Sequence, residues 1–84
     1  MPKPLPLPDD LLPLHAAALE ADRAMTTTRE AGGDVDAARD RYVTAALALR
    51  AHPIWEEARA GACYAQTWQA SLDAAKASLD GEAA

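Results

Sequence analysis

Gly32-Gly33 and His52-Pro53 cut this 84-residue chain into three stretches, each with the apolar spacing of a helix that faces another helix. In the first, Leu11, Leu14, Ala18, Ala21, Met25 and Thr28 recur at alternating intervals of three and four. Val35, Ala38, Tyr42, Ala45 and Leu49 do the same in the second. The third carries the longest run: Ile54, Ala58, Gly61, Ala65, Trp68, Leu72, Ala75 and Leu79. No segment shows the period of two that a half-buried strand needs. The spacing therefore predicts an all-α protein with helices over 9–31, 34–51 and 53–80.

Start and stop signals agree with those bounds. Asp9 or Asp10 can cap the first helix, and Pro13 falls within its first turn. One glycine of Gly32-Gly33 suits a left-handed cap, after which Asp34 caps the second helix. Asp36 in its first turn and Arg50 in its last complement the helix dipole, and Asp36 pairs with Arg39 at i,i+3. Pro53 suits a first helical position, and His52 is expected to cap the carbonyls that end the second helix. Gly61 interrupts the third seam at a cost of about 1 kcal/mol relative to Ala. Close approach of another backbone, or room for Tyr64 or Trp68, would compensate. Gly81 is expected to end the third helix and leave 81–84 as a frayed tail.

Ahead of the helices, residues 1–8 place proline at positions 2, 4, 6 and 8. Such spacing disfavours helix at every intervening residue and predicts an extended arm. That arm is either a stiff tail or a strap that lays Leu5 and Leu7 on a neighbour.

Two tight connections predict an antiparallel hairpin of the first two helices with a long third helix. The third either folds back as a three-helix bundle or continues the second through a kink at Pro53. A kinked hairpin would need to dimerise to cover its last helix. Composition sharpens this point. Half the residues are apolar, but 22 of those 42 are Ala and none is Phe. A chain of this size removes only roughly 60–65% of its unfolded surface from water. The core is thin, so a partner or a second copy is expected.

Charge and motif content narrow the function classes. A net charge of −5 is a poor footprint for nucleic acid. Arg23, Arg29, Arg39, Arg41, Arg50 and Arg59 are spread over three helices among acids, which leaves an accessory DNA-binding regulator as an alternative only. No apolar run reaches the ~18 residues of a membrane span, and the proline-broken start lacks a signal-peptide core. The expected location is cytoplasmic. A single Cys forbids an internal disulfide. Phosphate-binding glycine loops and zinc motifs are missing, and acids mostly precede Arg or Lys by three residues, as on solvated helix faces.

Three residues remain for a metal- or thiol-dependent enzyme, the least favoured alternative. His15 has no ligand partner at i+3 or i+4 and reads as a boundary residue. His52 sits at the corner. Cys63 has Arg59 one turn away but no His at i±3 or i±4, and reads as a small apolar residue. No catalytic, metal or cofactor residues are assigned.

The aromatic residues carry more information. Tyr64 and Trp68 share a face of the third helix, and Trp55 opens it just after the corner. Aromatic side chains are enriched at interfaces. Trp55, Tyr64 and Trp68, with Leu5 and Leu7 of the arm, are therefore the expected partner contacts.

Two resemblances add context. Gly33-Asp34-Val35-Asp36-Ala37-Ala38 with Tyr42 and Ala45 looks like the second helix of a tetratricopeptide repeat, without the first helix's signature or a second repeat. The opening Pro8-Asp9-Asp10-Leu11-Leu12-Pro13-Leu14 and the corner Arg50-Ala51-His52-Pro53-Ile54-Trp55 are similar to small uncharacterised helical proteins of actinomycetes. That likeness covers about a fifth of the chain and implies no activity. The function expected is a non-enzymatic helical interaction module, self-associating through its third helix or binding another helical protein.

Overall fold

The computed structural model describes residues 2–83. Four helices follow an extended arm: α1 (Leu11–Ala31), α2 (Val35–Arg50), α3 (Ile54–Ala60) and α4 (Tyr64–Ala83). There is no strand among the described residues. α1 is the central element, with α2 packed along one side and α4 along the other. α2 and α4 each pack mainly on α1 rather than on each other, which leaves a groove between them. The radius of gyration is accordingly 14.1 Å, against roughly 12 Å for a globule of this length.

The first two helices match the expected seams. Leu11, Ala18 and Ala21 of α1 are buried, and Leu14, Met25 and Thr28 are half-buried. On α2, Leu49 is buried and Val35, Ala38, Tyr42 and Ala45 are half-buried. Their connection is closed by Gly32 at φ 73°, with Gly33 N–H donating to Thr28 O at 2.9 Å and Gly32 N–H to Arg29 O at 3.3 Å. This pair of bonds is a Schellman closure. Asp34 then accepts from Ala37 N–H at 3.0 Å and caps α2 as expected. The Asp36–Arg39 pair forms across 3.8 Å on the exposed surface.

The expected third helix is in fact two. The chain leaves α3 at Gly61 and turns through Ala62 at φ 55° before α4 begins. The same closure recurs here: Cys63 N–H donates to Ala58 O at 2.9 Å and Ala62 N–H to Arg59 O at 3.1 Å. Gly61 is one residue ahead of the left-handed position, so an alanine occupies the site that glycine fills after α1. The break is worth its strain because it carries α4 back along α1, which a straight helix over 53–80 would not reach. Gly61 needs no close approach, since a Cβ there would make only ordinary contacts at 3.5 and 3.6 Å.

Two further expectations are corrected. Gly81 does not end the last helix, which runs through it to Ala83. A Cβ at Gly81 would meet nothing within 4 Å, and with no packing to enforce a turn the ladder continues at a cost of about 1 kcal/mol. Ala84 of the expected frayed tail and Met1 of the arm lie outside the described residues. Asp10 occupies the N-cap position of α1 without a capping bond, because its carboxylate is turned to His52.

The break after α3 makes a testable statement about backbone strain. A non-glycine residue in the left-handed region costs about 1–2 kcal/mol, partly regained in the unfolded chain. Ala62→Gly should raise the unfolding free energy by about 0.5–1 kcal/mol in urea titrations, and Gly32→Ala should lower it by about 1 kcal/mol. An Ala62→Gly protein less stable than the parent would contradict the left-handed assignment.

Candidate functional site

The groove between α2 and α4 is floored by α1 and has a cavity volume of about 220 Å³. α1 supplies His15, Leu19 and Asp22, which recur at helical spacing and so share one face. Tyr42, Leu49 and Arg50 of α2 form one wall, and Trp68 and Leu72 of α4 the other. Its lining is mainly apolar, with one carboxylate, one guanidinium, one phenol and one imidazole.

His15 is 3% exposed, not the boundary residue its neighbours in sequence suggest. Its ring lies 4.8 Å from that of Trp68 between centroids. Ser71 Oγ of α4 is 2.6 Å from His15 Nδ1, and the hydroxyl donates when Nε2 carries the ring proton. Nε2 has no hydrogen-bond partner among the described residues. Since no fully buried side-chain nitrogen or oxygen among the described residues lacks a partner, Nε2 reaches the surface of the groove. Burial lowers the His15 pKa from its ordinary value of 6.5 by penalising the imidazolium.

A serine beside a histidine invites a nucleophilic reading, but the geometry opposes it. Ser71 is 2% exposed and does not line the groove; the imidazole stands between its hydroxyl and solvent. The pair instead satisfies two buried polar groups where α4 crosses α1.

The side chain of His52 does not cap the carbonyls of α2; only its backbone N–H reaches one. Its Nδ1 accepts from Ile54 N–H at 3.1 Å, so it caps the start of α3. That bond places the ring proton on Nε2, which donates to Asp10 Oδ1 at 2.9 Å. One imidazole thus fastens the start of α1 to the corner after α2. The Leu49 carbonyl at the end of α2 is taken by Trp55, whose indole N–H donates to it at 2.8 Å, and by His52 N–H at 3.2 Å.

The expected partner contacts separate. Trp55 is 2% exposed and lies in the core against Tyr64 and Trp68, with ring centroids 5.5 and 5.0 Å away. It is a core residue, not an interface residue, because the break at 61–63 folds α4 over it. Tyr64 and Trp68 are half-buried and stacked at 6.3 Å, Tyr64 under the Arg59 guanidinium and Trp68 in the groove wall. The arm lies on its own chain. Leu5 is half-buried against the core, and its N–H donates to Thr67 Oγ1 at 3.1 Å, while Leu7 is exposed.

Cys63 is 3% exposed and accepts from Thr67 Oγ1 at 3.6 Å. Among the described residues no group of three or more His, Cys, Asp or Glu could hold a metal ion, and no helix is long and apolar enough to cross a membrane.

Sequence reasoning missed Thr67 and Ser71. With Cys63 and Ala75 they form the buried face of α4, at 3, 0, 2 and 0% exposure for positions 63, 67, 71 and 75. The signal was a four-residue recurrence of small side chains, invisible to a criterion of hydrophobicity. The second apolar feature missed is on α2, where Val43 and Leu47 are 45% and 64% exposed. No protein-family profile, curated protein or solved structure matches this chain.

The buried imidazole predicts a pH dependence. A His whose folded pKa is lowered contributes stability that is present above its unfolded value and lost as the pH falls toward the folded one. Unfolding free energy should therefore decline as the pH falls below the ordinary His value of 6.5. His15→Gln should flatten that decline relative to the parent. Parallel slopes for the two would contradict the assignment.

Proposed function

We propose that this protein is a non-enzymatic helical interaction module that associates with itself. The observation that carries this reading is the state of α2. Sixteen residues long, it buries only Leu49, packs extensively on α1 alone, and shows Val43 and Leu47 to solvent one turn apart. Those two side chains point away from α1, on the side opposite Leu49. Surface aliphatic pairs at helical spacing fit a helix-to-helix contact. The thin Ala-rich core supports the same reading, because a second copy would add the apolar burial that the single chain lacks.

On this reading the contact belongs to α2 and not to the aromatic residues of α3 and α4, of which Trp55 is buried in the chain's own core and Tyr64 and Trp68 pack half-buried against it. The nucleic-acid alternative is weakened by three arginines already engaged: Arg23 with Asp80 at 3.4 Å, Arg39 with Asp36 at 3.8 Å, and Arg59 over Tyr64 at 5.2 Å.

Sedimentation velocity from about 10 µM to about 1 mM should show a monomer–dimer equilibrium, weak because the contact is near the small end of specific interfaces. Leu47→Asp should leave the circular dichroism spectrum unchanged and shift the equilibrium to monomer. A parent protein that stays monomeric throughout would overturn self-association.

A further inference from the structure

Resting on self-association, we propose that the second copy docks antiparallel along α2, in a register set by Asp40 of each copy facing Arg50 of the other. Asp40, Val43, Leu47 and Arg50 all lie within an arc of about 80° at 100° per residue, centred away from the face that packs on α1, with Arg50 at the edge of the arc where it also borders the groove. All four are exposed. Neither Asp40 nor Arg50 has an ion pair within the described residues.

A two-fold axis level with Ala45 makes this face complementary to itself. Val43 meets Leu47 of the second copy and Leu47 meets Val43, so four aliphatic side chains form the centre. Asp40 meets Arg50 at one end, and Arg50 meets Asp40 at the other, giving two flanking pairs of opposite charge. An isologous contact requires this reciprocity. Other arrangements keep a two-fold axis but lose the Asp40–Arg50 pairing. A parallel pair in register sets Asp40 on Asp40 and Arg50 on Arg50. Sliding the antiparallel pair by one turn sets Leu47 against Arg39 in one direction and Val43 against Ala51 in the other. Antiparallel packing also opposes the two helix dipoles. The charged ends specify orientation more than they add affinity.

Charge reversal tests the register. Asp40→Arg and Arg50→Asp should each weaken the dimer by roughly tenfold or more in sedimentation velocity at high concentration, because each change acts twice across the axis. An equimolar mixture of the two variants should recover parental affinity, since both facing pairs are then opposite in sign. Circular dichroism checks that each variant folds. Asp40→Arg, remote from the end of α2, carries the test alone if Arg50→Asp unfolds. A parental dimer unaffected by Asp40→Arg, or a mixture of folded variants that stays monomeric, overturns the register and leaves self-association standing. A parent that is monomeric at every concentration overturns both.

Discussion

The indole of Trp55 holds the two halves of the chain together. Its N–H donates to the Leu49 carbonyl near the end of α2, and its ring packs at a tilt against Tyr64 and Trp68 of α4. Through Trp68 the contact continues to His15 on α1. Burying a tryptophan removes on the order of 200 Å² from water, a contribution of several kcal/mol before ordering costs. Trp55 is the largest side chain buried in a core cluster otherwise made of Leu11, Ala18, Leu49 and Ile54, and it joins the corner after α2 to α4. The left-handed turn at Ala62 follows from this, because only a sharp reversal there brings Tyr64 and Trp68 over the ring.

That arrangement decides which surfaces remain open. With α4 folded back on α1, the small face of Cys63, Thr67, Ser71 and Ala75 lies close to its neighbours, and its hydroxyls are satisfied by the Leu5 N–H and by His15. The arm is consumed by the same contact. α2, by contrast, gains only α1 and the indole at its end. Its outer face keeps two aliphatic side chains, Val43 and Leu47, that none of the described residues covers.

Much of the architecture could be read from residue order, and the reasons for the remainder are specific. The seams of α1 and α2 follow from apolar spacing, and their connection from Gly32-Gly33 and Asp34, whose capping chemistry is local. The break at Ala62 could not be read, since alanine is the strongest helix former and carries no turn signal. It is imposed by packing, and glycine sits one position too early to mark it. Beyond the break the seam expected for 53–80 holds only in part: Ala75 is buried and Trp68, Leu72 and Leu79 are half-buried, but Ala65 is exposed, and Thr67 and Ser71 beside the seam are buried. His15 and His52 were misjudged because their partners, Ser71 and Asp10, are 56 and 42 residues away in sequence. The aromatic residues were recognised as important, but whether such rings turn inward or outward depends on the same break.

The claim that most needs contact with experiment is that the outer face of α2 meets itself. Isotope-filtered nuclear Overhauser spectroscopy on a mixture of labelled and unlabelled protein, at a concentration that populates the dimer, reads this directly. Cross-peaks between the methyl groups of Val43 in one copy and Leu47 in the other are the predicted result. Intermolecular cross-peaks confined to Trp68 and Leu72 of the groove, with none from Val43 or Leu47, would contradict it.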